Sequence, residues 1–379
     1  MRKLPIALAV LGHTVVDSTQ NLLPVVMPLL VDHFRLNYAQ VGIAAALLNL
    51  SSSVIQPIFG WVSDRCPMRW FIPAGILVTG LFMSAIGLVP SYSMLLVLIA
   101  CTGLGTAAFH PAASMAVAQA SGNQRGFGMS FFSAGGNLGF AIGPVTAAWL
   151  LTRFGLHGTL FLFVPCCLMA AATFWWRSAL VETERASKTE GDSARATRIP
   201  WGPLNILCAY ITLRSWTYSG FLVFLPLLLH EQGVSLVQAG RALFVFLFFG
   251  AIGGMLGGYL SDRIGRQQVM AVSLLAFPFL MSAAILLSGP GKFVCLALAG
   301  AALLASFSVT VVFAQDLMPG KLGLASGLTL GLGFGTGGLG VGISGFLADA
   351  LGLWMSLWLL ILLPGIGGLL ALGLRSRRR

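Results

Sequence analysis

The chain has 379 residues, of which 57% are hydrophobic and 9% charged, with a net charge of +11 and a mean hydropathy of +0.90. Soluble domains carry roughly 25% charged residues, so this composition excludes a water-soluble globule. A bilayer solvates the outer surface of apolar helices as well as protein does. The composition therefore predicts an integral membrane protein.

Glycine, proline and cysteine fit a helical membrane protein. The chain has 47 Gly and 17 Pro, and both residues are common in membrane helices, where small residues allow close packing. The six cysteines form no C-x-x-C pair and have no histidine at a metal-ligand spacing. We therefore predict buried thiols, no metal site and no cofactor.

Long apolar runs predict twelve transmembrane helices in an all-α fold. In chain order, these spans are 5–31, 39–63, 70–90, 93–120, 125–152, 157–178, 203–231, 237–261, 268–288, 291–316, 321–349 and 352–374. The first run follows Met-Arg-Lys, as in a signal peptide, but it is long and contains Asp17 and Gln20. We therefore interpret it as a retained span.

The basic residues predict the orientation of the spans. If the N-terminus is cytoplasmic, 17 of the 22 Lys and Arg lie on the cytoplasmic side, four lie on the opposite side and one, Arg214, lies within a span. The positive-inside rule then places both termini in the cytoplasm. We predict that the protein lies in the inner membrane. The positive charge indicates contacts with lipid headgroups and excludes a nucleic-acid partner.

An internal repeat divides the chain into two halves. Adding 198 to the numbering places Pro28-Leu29-Leu30 on Pro226-Leu227-Leu228 and residues 60–65 on residues 258–263. The repeat predicts two pseudo-symmetric six-helix bundles, residues 1–178 and 203–374. Residues 179–202 are polar and predict a cytoplasmic linker, and residues 375–379 form a basic cytoplasmic tail.

Two related loops follow spans 2 and 8. They contain Gly60, Asp64, Arg65 and Arg69, and Gly258, Asp262, Arg263, Gly265 and Arg266. Together with the repeat, these residues resemble the major facilitator superfamily and its G-x-x-x-D-R-x-G-R signature. Pro67 replaces the second glycine in the first copy. The resemblance implies two bundles that rock about a substrate site near the bilayer midplane.

These loops predict a conformational latch on the cytoplasmic side. Asp64 and Asp262 can accept hydrogen bonds from exposed N–H groups at the start of a helix. Asp316, at the end of span 10, can pair with either Arg263 or Arg266. The alternative is that these charges only set the topology, but that explanation does not account for two copies of the pattern.

Polar residues within the spans predict the transport site, because a buried charge needs a partner or a wet cavity. His13, Asp17 and Gln20 form one stripe on span 1, with Asn21 beside it. Asp17 is the predicted proton carrier, and His13 can share its proton. His110, which precedes Pro111 in span 4, is a third candidate for proton coupling, with a purely structural role as the alternative.

The candidate substrate ligands lie mainly on span 7. Arg214 is stacked with Tyr210 and Tyr218 at helical spacing, and Trp216 is close by. A cation between aromatic side chains favours an anionic or amphipathic solute. Asn137 on span 5, Gln20 and Asn21 complete the predicted substrate site. Alternatively, Asp17 and Arg214 pair only to stabilise the protein.

Span 5 carries a glycine-rich segment with a proline. Gly139-x-x-x-Gly143-Pro144 resembles the antiporter motif of drug-exporting members of the superfamily. The alternative is a helix-packing face of small residues. The combination of this span with His13, Gln56 and Phe109-His110-Pro111 resembles the fosmidomycin-resistance branch, although Ala112 and Met115 depart from its pattern.

These observations and the resemblance lead to one functional prediction with several alternatives. We predict a monomeric secondary active transporter that exports a small amphipathic or anionic solute or drug in exchange for protons, by alternating access. The alternatives are proton-coupled uptake of a nutrient or metal-chelate, and lipid transport. A membrane-embedded enzyme or receptor is disfavoured because no span holds paired carboxylates or a nucleophile motif.

Overall fold

The computed structural model describes residues 2–56, 58–59, 70–180, 200–287, 289–318 and 322–374. These residues form helices and short connections, and none of them lies in a strand. The chain divides into two compact units. Unit 1 comprises residues 1–186 and 225–244, and unit 2 comprises residues 187–224 and 245–379.

Unit 1 contains the helices of the first half of the chain. They are α1 (Lys3–Gln20), α2 (Leu23–Phe34), α3 (Tyr38–Ser53), α4 (Phe71–Ser84), α5 (Tyr92–Ser121), α6 (Arg125–Phe154), α7 (Phe163–Trp175) and α8 (Arg177–Leu180). Helix α1 packs against α4, α5, α6 and α7. It is therefore the central helix of this unit, and polar side chains on it are removed from the surface.

The second half of the chain contains seven further helices. They are α9 (Trp201–Glu231), α10 (Leu236–Ile264), α11 (Arg266–Leu286), α12 (Pro290–Ala305), α13 (Phe307–Leu317), α14 (Leu322–Leu351) and α15 (Leu353–Leu372). In unit 2, α11 packs against α12 and α15, and α14 packs against α13 and α15. The last residues of α9 and the first of α10 belong to unit 1.

The predicted all-helical membrane fold is confirmed. Ten described segments are long and apolar enough to cross a membrane, and one of them, Gly128–Trp175, has 48 residues and contains two predicted spans. These segments therefore cover eleven of the twelve predicted spans. The remaining span, 39–63, coincides with α3 and continues into residues outside the described part.

Spans 1 and 10 are interrupted in the structure. Span 1 breaks at Asn21 and Leu22, after which Pro24 occupies the first turn of α2, where the missing N–H of proline has no helical partner to lose. Span 10 breaks at Ser306, between α12 and α13. Such breaks expose backbone polar groups at membrane depth, which is tolerated only inside protein or at a cavity.

Local interactions set the helix ends. Asn37 and Gln40 form a capping box at the start of α3, with the Asn37 side chain accepting from the Gln40 N–H at 2.8 Å. Gly265 joins α10 to α11 with φ of 102°, a left-handed conformation that favours glycine. These features fix where the membrane helices begin and end.

Candidate functional site

Asp17 is a buried carboxylate on the central helix of unit 1. Its side chain is 2% exposed. His13 lies one turn earlier on α1, and its Nε2 is 3.1 Å from Asp17 Oδ2. The helical spacing that the sequence displays therefore becomes a direct contact in the structure.

His110 completes a three-residue cluster. It lies on α5, and its Nε2 is 3.2 Å from Asp17 Oδ1. The two imidazole rings meet edge to face with centroids 5.0 Å apart. We refer to His13, Asp17 and His110 as the triad. The structure thus brings together all three residues that the sequence predicted for proton coupling, although their role stays a prediction.

The hydrogen bonds of His13 determine where a proton must lie. Its Nδ1 is 2.8 Å from the carbonyl oxygen of Phe132, and because a carbonyl only accepts, Nδ1 carries hydrogen. In a neutral ring Nε2 would then present a lone pair to Asp17. The 3.1 Å contact is attractive only when a proton lies between Nε2 and the carboxylate. This geometry therefore corresponds to a protonated triad.

His110 has a hydrogen-bond partner on each ring nitrogen. The Gln56 side-chain amide donates to His110 Nδ1 at 3.4 Å, which leaves hydrogen on Nε2 to donate to Asp17. Asp17 consequently accepts one hydrogen bond on each carboxylate oxygen. The extra proton belongs to the His13–Asp17 pair.

Helix α6 leaves room for the triad because it presents a glycine. A Cβ atom on Gly136 would lie 2.5 Å from ring atoms of His13 and 2.9 Å from Asp17 Oδ2. On the same helix, Phe132 stacks on His13 with ring centroids 4.1 Å apart. The triad is therefore enclosed by packing on three helices, which limits the positions its side chains can adopt.

The triad could also bind a metal ion. One ligand atom from each residue lies within 4.8 Å of the others, a spacing that a divalent cation can bridge with two imidazoles and a carboxylate. The two nitrogen–oxygen distances are also ordinary hydrogen-bond lengths. Protons therefore account for the observed contacts without a metal ion.

The other predicted residues of unit 1 lie around the break in span 1 and on α6. The Asn21 amide donates to the carbonyl oxygen of Phe140 at 2.7 Å and so ties the break to α6. Gln20 is half-buried and Asn137 is exposed. Asn21 is thus occupied by the backbone of its own unit, while Asn137 lies at the surface of unit 1.

The antiporter-like segment packs α6 on α1. Added Cβ atoms at Gly139 and Gly143 would lie 2.4 and 2.5 Å from carbonyl oxygens of α1. The carbonyl of Pro144 lies 2.7 Å from the Cβ position of Gly240 at the start of α10. The close approach of these backbones agrees with the packing interpretation and leaves the export role as a prediction.

Arg214 is a buried cation in unit 2. It is 2% exposed, and its Nη1 has no hydrogen-bond partner among the residues that the structure describes. The guanidinium carbon lies 4.9 Å from the ring centroid of Phe307. A buried charge without a partner is costly, so this side chain is a strong candidate for ligand binding.

The aromatic residues near Arg214 are held differently. Tyr210 is fully buried and donates to the carbonyl oxygen of Met270 at 3.0 Å. Trp216 Nε1 donates to Ser344 Oγ at 2.8 Å. Tyr218 and Trp216 are half-buried. The predicted aromatic surroundings of Arg214 therefore include side chains that are fixed by their own hydrogen bonds.

The two predicted latch loops differ in what can be described. Gly60, Asp64, Arg65 and Arg69 lie outside the described residues. In the second loop, Arg266 forms an ion pair with Asp316, one of the two pairings that the sequence left open.

The remaining residues of the second loop have other contacts. Arg263 instead lies over the ring of Tyr259 at 4.4 Å. Asp262 is exposed, and a Cβ on Gly258 would lie 3.2 Å from Ser308 Oγ. The missing side chain of this glycine therefore allows α10 to approach α13 closely.

One polar pair was missed by the sequence analysis. His230 Nε2 lies 2.9 Å from Asp32 Oδ2, and Tyr38 contacts the neighbouring Glu231. Asp32 and His230 are 198 positions apart, which is the offset of the internal repeat. A comparison of the charged and titratable residues at equivalent positions of the two halves would have identified this pair.

A family comparison decides the class of this protein. The model of the Major Facilitator Superfamily matches residues 9–329 and 207–379. The chain belongs to the major facilitator superfamily. It is therefore a multi-pass membrane transporter that binds small-molecule substrates, and it is not an enzyme.

Named relatives of this major facilitator are bacterial. An uncharacterised MFS-type transporter of Bacillus subtilis, YfnC, is 37% identical over 94% of this chain and 89% of its own length. The fosmidomycin resistance protein of Escherichia coli K12 is 32% identical over 89% of this chain and 85% of its own length. The predicted resemblance to the fosmidomycin-resistance branch is confirmed.

A solved structure agrees with the fold. A bacterial homologue of the human lysosomal transporter Spinster, in an inward-facing and occupied conformation, aligns with a TM-score of 0.85. The alignment covers 98% of this chain and 96% of that chain at 17% identity. This likeness supports the fold of a major facilitator.

Proposed function

We propose that this major facilitator exports a small amphipathic or anionic solute in exchange for protons. The triad carries this proposal: a 2% exposed carboxylate held by two imidazoles in a geometry that requires one shared proton. Neutralising such a site and charging it again are the two states that a proton-coupled transporter needs.

The coupling follows from the cost of losing the proton. With the proton, His13 and Asp17 form a neutral pair, and both carboxylate oxygens accept hydrogen bonds. Without it, the buried triad has a net negative charge, and a lone pair of His13 faces the carboxylate. Deprotonation therefore favours a rearrangement of α1 that admits water or a counter-ion. Such a rearrangement is the step that links proton release to a change in access.

Substrate recognition is assigned to the second unit and the surroundings of the triad. In this proposal Arg214 attracts the negative group of the solute, because its buried Nη1 has no hydrogen-bond partner among the described residues. Gln20, Asn137, Tyr218 and Trp216 contribute polar or aromatic surface to the solute, whereas the Asn21 amide is held by the Phe140 carbonyl.

The latch and the location complete the proposal. The Arg266–Asp316 pair, with Gly258, Asp262 and Arg263, stabilises one access state. The protein works as a monomer in the inner membrane, with cytoplasmic termini and lipid around its helices.

Export is favoured over uptake by two observations. One relative of high coverage is a fosmidomycin resistance protein, and removal of a toxic compound from the cell is a direct route to resistance. The Gly139-x-x-x-Gly143-Pro144 segment also resembles the antiporter motif. Both support an exchange of solute for protons.

Uptake is the second candidate function. More distant relatives include a hexuronate transporter and a 3-(3-hydroxy-phenyl)propionate transporter of Escherichia coli, at 22% and 26% identity. These names describe carriers of organic acids, whose anions suit Arg214. Proton-coupled uptake of such an acid would use the same triad with flux of the opposite sign.

Reconstitution tests the proposal. The purified protein is placed in liposomes with an internal pH dye, a pH gradient is imposed, and carboxylate, phosphonate and lipophilic-cation solutes are added in turn. Solute-dependent proton efflux against solute entry supports an antiporter, whereas co-directional fluxes support uptake. Absence of any solute-dependent proton flux, in protein that still binds a solute, contradicts proton coupling.

A further inference from the structure

We propose that unit 2 contains an oxyanion-binding site formed by Arg214, Ser306 and the N-terminus of α13. Its ligand is the carboxylate, phosphonate or phosphate group of the transported solute. This inference rests on the transport function proposed above and names the chemical class that it acts on.

The first observation is the electrostatic isolation of Arg214. The described part of unit 2 contains three acidic residues, Asp262, Asp316 and Asp349. Each lies within a few residues of the end of its helix, whereas Arg214 lies near the middle of α9. Asp316 is paired with Arg266. Among the residues that the structure describes, no ion pair joins Arg214 to any of these three carboxylates, and its Nη1 has no hydrogen-bond partner there.

The second observation is the break in span 10 beside this cation. Helix α12 ends at Ala305, and α13 begins at Phe307, whose ring lies against the Arg214 guanidinium. Ser306 is fully buried, and its hydroxyl lies near the hydroxyl of Tyr210. The first N–H groups of a helix lack intrahelical acceptors and carry partial positive charge.

These groups share one electrostatic requirement. A guanidinium, a hydroxyl donor and a helix N-terminus all stabilise negative charge, and two positive features in a buried region repel each other unless an anion lies near them. An oxyanion can accept hydrogen bonds from all three, and a guanidinium binds carboxylate or phosphate with two parallel bonds. The arrangement consequently selects an anion and rejects a cation.

The internal repeat relates this site to the triad. Under the 198-position offset of the repeat, Asp17 corresponds to Ser215, so Tyr210, Arg214 and Phe307 lie one position before the equivalents of His13, Asp17 and His110, respectively. The contacts correspond as well, since Asp17 contacts His110 and Arg214 contacts Phe307. The outer members bind backbone carbonyls in both units, His13 to Phe132 and Tyr210 to Met270.

The two units thus carry opposite charges, Asp17 and Arg214, at neighbouring positions of the repeat. The acidic position of unit 1 holds a proton, and the basic position of unit 2 takes an anion. Phe307 is 36% exposed, so the site has an apolar edge that suits an aromatic or alkyl group attached to the oxyanion.

Binding to the purified full-length protein tests the site directly. The probes are benzoate, phenylphosphonate and inorganic phosphate, with benzamide and tetraphenylphosphonium as neutral and cationic controls, and the readouts are melting temperature and Trp fluorescence. We expect stabilisation by the oxyanions alone. Arg214→Gln should weaken their binding on the order of 10- to 100-fold, since hydrogen bonds to a charged group are lost. Arg214→Lys should retain part of the affinity.

Stability of the unliganded variant separates a ligand site from a structural one. Removing this buried guanidinium, whose Nη1 has no hydrogen-bond partner among the described residues, should leave the melting temperature of Arg214→Gln at or above that of the wild type. A lower melting temperature together with unchanged oxyanion binding would overturn the proposal. Equal stabilisation by benzamide and benzoate would overturn it as well.

Asp17→Asn separates this site from the proposed coupling. The variant should bind oxyanions as the wild type does while losing solute-dependent proton flux. If the wild type binds oxyanions but moves no protons, the proposed proton coupling is refuted and the proposed oxyanion site stands. If a cationic solute drives proton flux and Arg214→Gln does not change that flux, the oxyanion site is refuted and the proton coupling stands.

Discussion

Replacing Asp17 by Asn removes the shared proton while preserving the shape of the triad. In the wild type, one carboxylate oxygen accepts from His110 and the other from the protonated His13. An Asn side chain can accept from His110 through Oδ1 and donate through Nδ2 to a neutral His13 ring. His13 keeps its hydrogen bond to Phe132 in both cases. The variant therefore satisfies every hydrogen bond without a titratable carboxylate.

The comparison with Asp17→Ala gives the magnitude. Alanine leaves two half-buried imidazole nitrogens without their partner, at a cost of up to about 1–3 kcal/mol for each, and it opens a cavity at a side chain that is 2% exposed. We therefore expect Asp17→Ala to melt well below the wild type and Asp17→Asn to melt near it. Only the loss of proton exchange should be common to the two variants.

Two transport assays on the same proteoliposomes separate coupling from binding. Solute flux driven by a pH gradient should fall to the level of empty liposomes for Asp17→Asn. Exchange of labelled solute for unlabelled solute at equal pH should persist, because it needs substrate binding and changes in access but no net proton movement. Asp349→Asn makes the same chemical change at an exposed position and serves as the control.

Two outcomes would refute this reasoning. If Asp17→Asn retains flux driven by the pH gradient, the carboxylate is not the proton site. If the variant melts as low as Asp17→Ala, the hydrogen-bond assignment of the triad is wrong, because an amide then fails to replace the protonated pair.

Five further substitutions test the surroundings of the triad and the latch. Gly136→Ala should disturb the triad and abolish coupled flux, whereas Gly139→Ala should mainly separate α1 from α6. Overpacking should cost about 1–3 kcal/mol in each variant. Wild-type values of both proton-coupled flux and melting temperature in the two variants would contradict this prediction. Asn21→Ala should lower the melting temperature slightly, by the loss of one hydrogen bond worth about 1 kcal/mol, and a large loss of solute affinity with normal melting would indicate direct binding instead. Arg266→Ala and Asp316→Ala should each alter transport with little change in melting temperature, since a partly exposed ion pair contributes about 0–1 kcal/mol. Rescue of transport in the charge-swapped double variant would verify the pairing.

The sequence predicted the composition of the triad but not its assembly. The contact between His13 and Asp17 follows from one helical turn. The contact with His110 joins positions 93 residues apart and depends on how α5 packs against α1. The hydrogen bond between the Phe132 carbonyl and His13 also depends on the tertiary structure, because every residue has a backbone carbonyl and the sequence does not indicate which one is used.

Other site residues illustrate the same limit. The sequence identified Arg214 as a buried cation and Asp17 as a buried acid, but it allowed them to pair with each other. In the structure, Asp17 is satisfied by two histidines of its own unit, and Arg214 lies over Phe307. The helix break at Ser306 was hidden within a continuous apolar run, since hydropathy reports membrane solvation and not backbone hydrogen bonding.

The sequence by itself determined the membrane class, the helical spans, the internal repeat and the family, because each depends on hydropathy, charge or residue spacing along the chain. Tertiary structure alone decided which side chains share hydrogen bonds, where spans 1 and 10 break, and which buried cation of the described part has a guanidinium nitrogen without a hydrogen-bond partner. Those features depend on the distances and directions between atoms of different helices. Packing fixes them through glycines such as Gly136, whose missing side chain gives the triad its space.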